Sequence, residues 1–295
     1  MQAPVIAGVD GSAESLAAAQ WAACEAVRRG RPLRLVHVWS WHPRQDGEPA
    51  TAAQRLVARR ALEQAAERIG RACPGLRFEE QQVEGPATAA LVRAAEQADV
   101  LVLGSRGLSG FTGFLVGSVA LGVVARANRP VVLVRTAEDA AAQHGPAVPG
   151  RGERRDVLLG LDLADSCDEV IEFAFEAARN RETRLRALHA WQPPGPFGLG
   201  PGEIGLIAGP RRAEEWRDFM AAVLQPWREK YPGVEVVETL TEGRAPSALI
   251  RAASAADLLV VGRRIIPGPL PARAGPVVHT VIHHTGCPVA VVPHD

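Results

Sequence analysis

The chain carries one order of motifs twice. Val5-Ile-Ala-Gly-Val-Asp10 returns as Val157-Leu-Leu-Gly-Leu-Asp162, and Val36-His-Val-Trp39 returns as Leu188-His-Ala-Trp191. Glu84-Gly85, ahead of Leu-Val-Arg-Ala-Ala, returns as Glu242-Gly243 ahead of Leu-Ile-Arg-Ala-Ala. Asp99-Val-Leu-Val-Leu-Gly104 returns as Asp257-Leu-Leu-Val-Val-Gly262, and Arg129-Pro-Val-Val-Leu-Val134 as Cys287-Pro-Val-Ala-Val-Val292. This is a tandem duplication, so each copy must fold by the same rules. A chain of 295 residues gives each copy the size of an ordinary domain. Thr136 to Glu153, rich in alanine, glycine and proline and without an apolar period, reads as a linker. The expected division is a first unit at 1–137, a linker at 138–153 and a second unit at 154–295.

Within the first copy, apolar runs of strand length alternate with helical patterns. Val5–Val9 reads as a strand, and Ser12 caps a helix that runs to about Arg29, with Leu16, Trp21 and Val27 facing the core. Gly30 and Pro32 end it before a second strand, Leu33–Trp39. A helix over Thr51–Arg71, a strand over Leu76–Val83 and a helix over Ala87–Gln97 follow. Val100–Leu103 reads as a fully buried strand, Val116–Ala127 as a helix with Val119, Val123 and Val124 on its apolar side, and Pro130–Arg135 as a fifth strand. Strict alternation of strand and helix predicts a parallel sheet covered on both faces.

Several function classes drop out on composition. The 33 basic and 33 acidic residues cancel, which argues against a general electrostatic grip on nucleic acid or anionic lipid. No run approaches the roughly 18 apolar residues of a membrane span, and the expected location is the cytoplasm. Cys24, Cys73, Cys167 and Cys287 are scattered without a C-x-x-C pair, so they read as small buried residues of a reducing compartment. Abundant alanine and arginine, with Lys230 the only lysine, fit a GC-rich bacterial genome.

The segment from Gly104 to Ser118, GSRGLSGFTGFLVGS, lies between a buried strand and a helix start. That is a recipe for holding phosphate, because glycines admit close backbone approach and the helix start offers free N–H groups. No Gly-Lys-Ser/Thr follows, so it is not a Walker A loop. Its pattern is Gly-x2-Gly-x9-Gly-Ser, carried by Gly104, Gly107, Gly117 and Ser118. This spacing resembles the ATP-binding loop of the universal stress protein family. Both copies resemble that family over nearly their whole length, through the motifs above and the Asp-Gly-Ser at Asp10–Ser12. The resemblance implies two Rossmann-like, doubly wound α/β domains, each a five-stranded parallel sheet of order 3-2-1-4-5. It also implies ATP, with Mg²⁺, as the ligand: Asp10 near ribose, phosphate or the bridging ion, Val38 at the adenine, and the glycine loop around the phosphates. Physical reasoning puts the ligand in the same place, since the crevice of such a sheet opens where strand order reverses, between strands one and four. Ser12, Gly104 and Gly107 would face it, with Gly117 and Ser118 behind, Val38 offering backbone groups to a base, and Arg106 able to meet a terminal phosphate. Asp10 and Ser12 also read as turn and cap residues.

The second copy departs from this pattern. Ile265 stands in place of Gly107, and Gly275 is followed by Pro276, which lacks both N–H and hydroxyl. A retained fold with lost phosphate chemistry is expected there. His279 and His283 have the i, i+4 spacing of a metal pair but no H-E-x-x-H frame, and His37 and His189 read as strand residues bonded to neighbours. Trp39, Trp41 and Trp191 can wall a cleft or pack a core, and the glycine- and proline-rich Gly195–Gly209 can cover the second cleft. No nucleophile–base spacing is present, so a regulatory ATP-binding protein is expected, with a slow ATPase or nucleotidyl-transfer enzyme and a ligand-free scaffold as rivals. The fifth strands, apolar and uncharged, are expected to pair as sheet edges and hold the copies as an intramolecular pseudo-dimer. Other faces leave room for a homodimer, and no downstream protein partner is named by the sequence.

Overall fold

The structure, a computed structural model, describes residues 2–39, 52–105, 116–136, 155–192, 209–266 and 273–295. The first half runs β1 (Val5–Gly8), α1 (Ala13–Arg29), β2 (Leu33–Trp39), α2 (Ala52–Ala72), β3 (Phe78–Glu84), α3 (Ala87–Ala95), β4 (Val100–Gly104), α4 (Ser118–Arg126) and β5 (Val131–Val134). The second begins with β6 (Asp156–Gly160), a 3-10 turn (Leu163–Asp165), α5 (Asp168–Arg181), β7 (Leu185–Trp191) and α6 (Gly209–Lys230). It continues through β8 (Val236–Glu242), α7 (Ala245–Ala253), β9 (Ala256–Arg264), α8 (Pro276–His284) and β10 (Val289–His294). Local chemistry explains the boundaries. Ser12 caps α1 by accepting from Ser15 N at 3.2 Å, and Gly30 ends it in the left-handed region at φ 60°.

All strands join one ten-stranded sheet of order β3-β2-β1-β4-β5-β10-β9-β6-β7-β8. Each half is parallel in order 3-2-1-4-5, and the seam is antiparallel, with Val132 opposite Ala290. Polarity explains which edges meet. Outer-edge β3 reads Phe-Glu-Glu-Gln-Gln-Val-Glu and its charged and amide side chains are largely exposed, which blunts a free edge. β5 and β10 carry apolar cores, and both hydrophobic layers cross the seam. Val132, Val134, Ala290 and Val292 pack on one face under α1, α2, α5 and α6, while Val131, Leu133, Val289 and Val291 pack on the other.

A second contact ties the halves across α1 and α5. Arg29 stacks over the Phe173 ring at 4.8 Å and Arg181 over the Trp21 ring at 5.5 Å. Trp21 and Phe173 hold equivalent places in the two repeats, as do Arg29 and Arg181, so the contact is a local two-fold. Fully buried Glu25 sits between the arginines, 2.6 Å from Arg29 Nε and 2.6 Å from Arg181 Nη2. Its equivalent in the second half is Ala177, so one carboxylate serves both cations; Arg29 also reaches Asp99 at 2.9 Å.

Three readings of the sequence need correction. Val27 is 56% exposed, because the core face of α1 is the small-residue stripe Ala18, Ala19, Ala22, Ala23 and Ala26, and Val27 turns past it. The helix expected from Val116 begins at Ser118, since Gly117 holds an extended φ of −61° and ψ of 148° as its cap. Val119 is consequently 37% exposed, while Val123 and Val124 are buried. Cys24 and Cys73, far apart in sequence, lie with their sulfurs 3.5 Å apart between α1 and the end of α2.

Candidate functional site

The strands of the first half end unevenly, and this opens a cleft. Val9 N–H donates to Val36 C=O at 2.9 Å, so Val36 points its backbone toward β1. Trp39 C=O accepts from Gly85 N at 3.0 Å, on the β3 side. Backbone direction alternates along a strand, so Val38 aims its N–H and C=O to the β1 side, beyond the Gly8–Val36 pairing that ends β1. His37 takes no part in this, as its Nδ1 bonds the Val9 carbonyl at 2.8 Å, and His189 does the same to Leu161 at 3.0 Å.

A cavity of about 300 Å³ lies at this point, over the carboxyl ends of β1 and β4. Asp10, Val38, Gly104, Gly117 and Ser118 line it, together with Val119, which the helical pattern had assigned to the core. Leu91 and Leu103 give it an apolar floor, and Asp10, Ser15 and Ser118 supply its polar side chains, Ser118 at the start of α4. There α4 starts from Gly117, which has no side chain to cap it, and no side-chain oxygen among the described residues meets its first-turn N–H groups. An anion suits that helix start and a flat apolar ring suits the floor.

Two expected ligand contacts carry structural work. Ser12 does not line the cavity: its Oγ donates to Asp10 Oδ1 at 2.6 Å and its N–H to the same oxygen at 2.9 Å, while the hydroxyl caps α1. Asp10 is thus oriented by the turn it makes, yet still faces the cavity. Gly104 is required by packing. A Cβ there would come within 2.7 Å of Glu14 C and 2.8 Å of Ser15 N, so the first turn of α1 rests directly on this glycine. Arg106 and Gly107 lie outside the described residues, as do Trp41, most of the expected linker and nearly all of Gly195–Gly209.

The sequence model of the Universal stress protein family matches residues 1–135 and again 153–293. This chain belongs to the universal stress protein family. A universal stress protein of Mycolicibacterium smegmatis is 31% identical over 300 residues, covering 98% of this chain and 96% of that protein. One from Mycobacterium tuberculosis is 32% identical over 299 residues, covering 97% of this chain and 96% of its own length. The crystal structure of a universal stress protein from Archaeoglobus fulgidus superposes over 100% of both chains with a TM-score of 0.71 at 19% identity, a likeness of fold.

The second universal stress protein repeat keeps a cavity of about 300 Å³ at the equivalent place, but lines it differently. Asp162 caps the 3-10 turn through Ala164 N at 3.0 Å, and Pro276 opens α8 as its first residue. Cys167, His294, Arg263 and Arg264 enter the lining, and Cys167 Sγ lies 2.9 Å from His294 Nδ1. Burial, then Asp165 and Glu169, push the Cys167 thiol up to about 11, whereas the hydrogen bond from Arg264 holds the Asp165 carboxyl below the usual range. Gly262 has a reason of its own, since a Cβ would fall 2.9 Å from His294 Nε2. Nor are the repeats isolated at their sites. His283 of α8 accepts from Val116 N–H at 3.2 Å, just ahead of the first cavity's helix, and Arg135 caps α8 through the carbonyls of Ile282 and His283 at 2.9 and 2.7 Å. The His279–His283 pair therefore has one ring nitrogen committed to the backbone of the other repeat.

No helix among the described residues is long and apolar enough to cross a membrane.

Proposed function

We propose that the first repeat binds an adenine nucleotide, ATP with Mg²⁺, and that the chain is a cytoplasmic regulatory protein whose state follows nucleotide occupancy. The observation that carries this reading is the single cavity shared by Asp10, Val38, Gly104, Gly117 and Ser118 at the point where strand order reverses. Val38 would meet the adenine edge with its backbone, and the apolar floor would hold the ring. The start of α4 and Ser118 would take the phosphates, joined by Gly107 and Arg106 from the loop. Asp10 would face ribose or the ion. Mg²⁺ would neutralise phosphate charge and add no protein chemistry of its own. The two repeats, bounded as 1–137 and 154–295, would act as an intramolecular pseudo-dimer, so that the nucleotide state of one is felt by the other through His283 and Val116.

Calorimetry of the full chain with ATP and Mg²⁺ is expected to give one site per chain. Ala120→Phe, which fills the cavity beside the α4 start, is expected to remove binding while leaving the seam intact. Two equal sites would overturn the loss of nucleotide binding in the second repeat, and wild-type affinity in Ala120→Phe with a retained thermal transition would overturn this placement. Turnover belongs to the same test. With no nucleophile–base spacing in the sequence, ATP hydrolysis is expected far below the ~10 s⁻¹ of an ordinary enzyme. Faster metal-dependent hydrolysis that Asp10→Ala abolishes would move the chain to the enzyme class.

A further inference from the structure

We propose that Asp165, Cys167 and His294 form a transition-metal site in the cavity of the second repeat, with zinc the ion that this donor set suits best. The three donor atoms lie within 4.8 Å of one another. They come from three separate elements: the end of the 3-10 turn, the cap position of α5, and the end of β10. Convergence of this kind is not the product of one acidic stretch or one helix end. One thiol sulfur, one imidazole nitrogen and one carboxylate oxygen make a mixed donor set. Hard ions such as Mg²⁺ and Ca²⁺ prefer all-oxygen shells, whereas sulfur and nitrogen donors select zinc and its neighbours.

Two further observations favour a built site over chance proximity. Gly262 leaves the space that the His294 ring occupies, so the backbone of β9 is shaped around the imidazole. Asp165 is also paired with Arg264, a partner that can orient a ligating carboxylate. Equivalent positions in the first repeat are Ala13, Ser15 and Thr136, so the donor set is private to the second. On binding, Cys167 would coordinate as thiolate and release its proton to solvent. Three protein ligands leave a fourth position, and that position opens on a cavity of about 300 Å³ that Arg263 and Arg264 also line. An anionic small molecule or water is the expected fourth ligand. The second repeat would then have exchanged a phosphate cradle for a metal centre.

Cobalt(II) is the probe, added to chelator-treated full chain without nucleotide, so the outcome is independent of ATP binding. One ion per chain is expected, with thiolate-to-cobalt charge-transfer absorption in the near ultraviolet that zinc bleaches by displacement. Cys167→Ser should remove the band, and Asp165→Asn and His294→Ala should each weaken affinity by at least roughly tenfold. The Cys24–Cys73 pair of the first repeat is a rival thiol site, and Cys24→Ser is expected to leave the band unchanged. Thermal transitions of the variants report folding, and Cys167→Ala serves if Cys167→Ser is unstable. No band in the wild-type chain, or a band lost in Cys24→Ser and kept in a folded Cys167 variant, would overturn the site.

Discussion

Replacing Glu25 with glutamine is expected to destabilise the chain by about 3–5 kcal/mol, the range seen when one partner of a buried ion pair is removed. The side chain is fully buried and lies 2.6 Å from both Arg29 and Arg181, each only 6% exposed. Glutamine keeps the shape and removes the charge. Arg29 retains Asp99 at 2.9 Å, but Arg181 is left with the Ala177 carbonyl at 3.2 Å and, among the described residues, no hydrogen-bonded carboxylate. Because Arg181 belongs to the second half, the loss falls on the contact between halves, and chemical denaturation should show a lower midpoint. Burial pushes the Glu25 carboxyl up, but Arg181 and Arg29 outweigh it and hold it below its ordinary 4.5. A depressed folded value means the stabilisation is complete above about pH 4.5 and is lost as pH falls through the folded value. The wild type should therefore lose stability steeply on the acid side, and Glu25→Gln should lose less. Burial moves Arg181 down; at Arg29 burial also lowers, but Glu25 and Asp99 outweigh it and move the group up, and both guanidinium groups stay charged throughout that range. Equal acid slopes in the two proteins would rule out Glu25 as the group responsible.

The second large effect is expected from a single methyl group. Gly104→Ala places Cβ 2.7 Å from the backbone of Glu14, and backbone at a helix start cannot swing aside. Forced overpacking of this sort costs about 1–3 kcal/mol or more. The matching change in the second repeat, Gly262→Ala, meets the ring end of His294 at 2.9 Å, a side chain near the end of β10. Its cost should be the smaller of the two, because the end of a side chain yields more readily than helix backbone. Thermal melts of the two variants side by side test the idea. Equal losses would show that α1 does not rest on Gly104 as the distances say.

How much of this could be read beforehand depends on how far apart the interacting residues lie. The strands were legible because apolar runs such as Val100–Leu103 repeat in both halves, and the order of five motifs carried the family and its sheet order. The seam was legible too, because Val131–Val134 and Val289–Val292 carry no charge where a free edge needs one. Glu25 was not. Along its own helix it offers only an i, i+4 partner in Arg29, and nothing local announces Arg181, which comes from the other repeat. Cys167 and His294 were missed for the same reason, being far apart in sequence and brought together by β10. Gly104 carries a second role that no local pattern announces. Its place in a glycine loop suggests room for phosphate and it does line the cavity, but the sheet also brings α1 onto it. Val119 shows the limit of helical periodicity, which sees a face but not that a cleft opens beneath it.

The single glutamate between two equivalent arginines has a consequence for how such a chain can change. In an assembly of two identical subunits, any substitution arises at both copies at once. A carboxylate at the position of Glu25 would be answered by a second across the axis, and the two would have to be accommodated together. Covalent fusion lifts that constraint. Each repeat can take a residue its twin lacks, as Glu25 does beside Ala177 and Cys167 does beside Ser15, and a clash or a chemistry need be solved only once. One copy is then at liberty to keep an old ligand while the other drifts toward a new one, and the shared sheet holds both in register throughout.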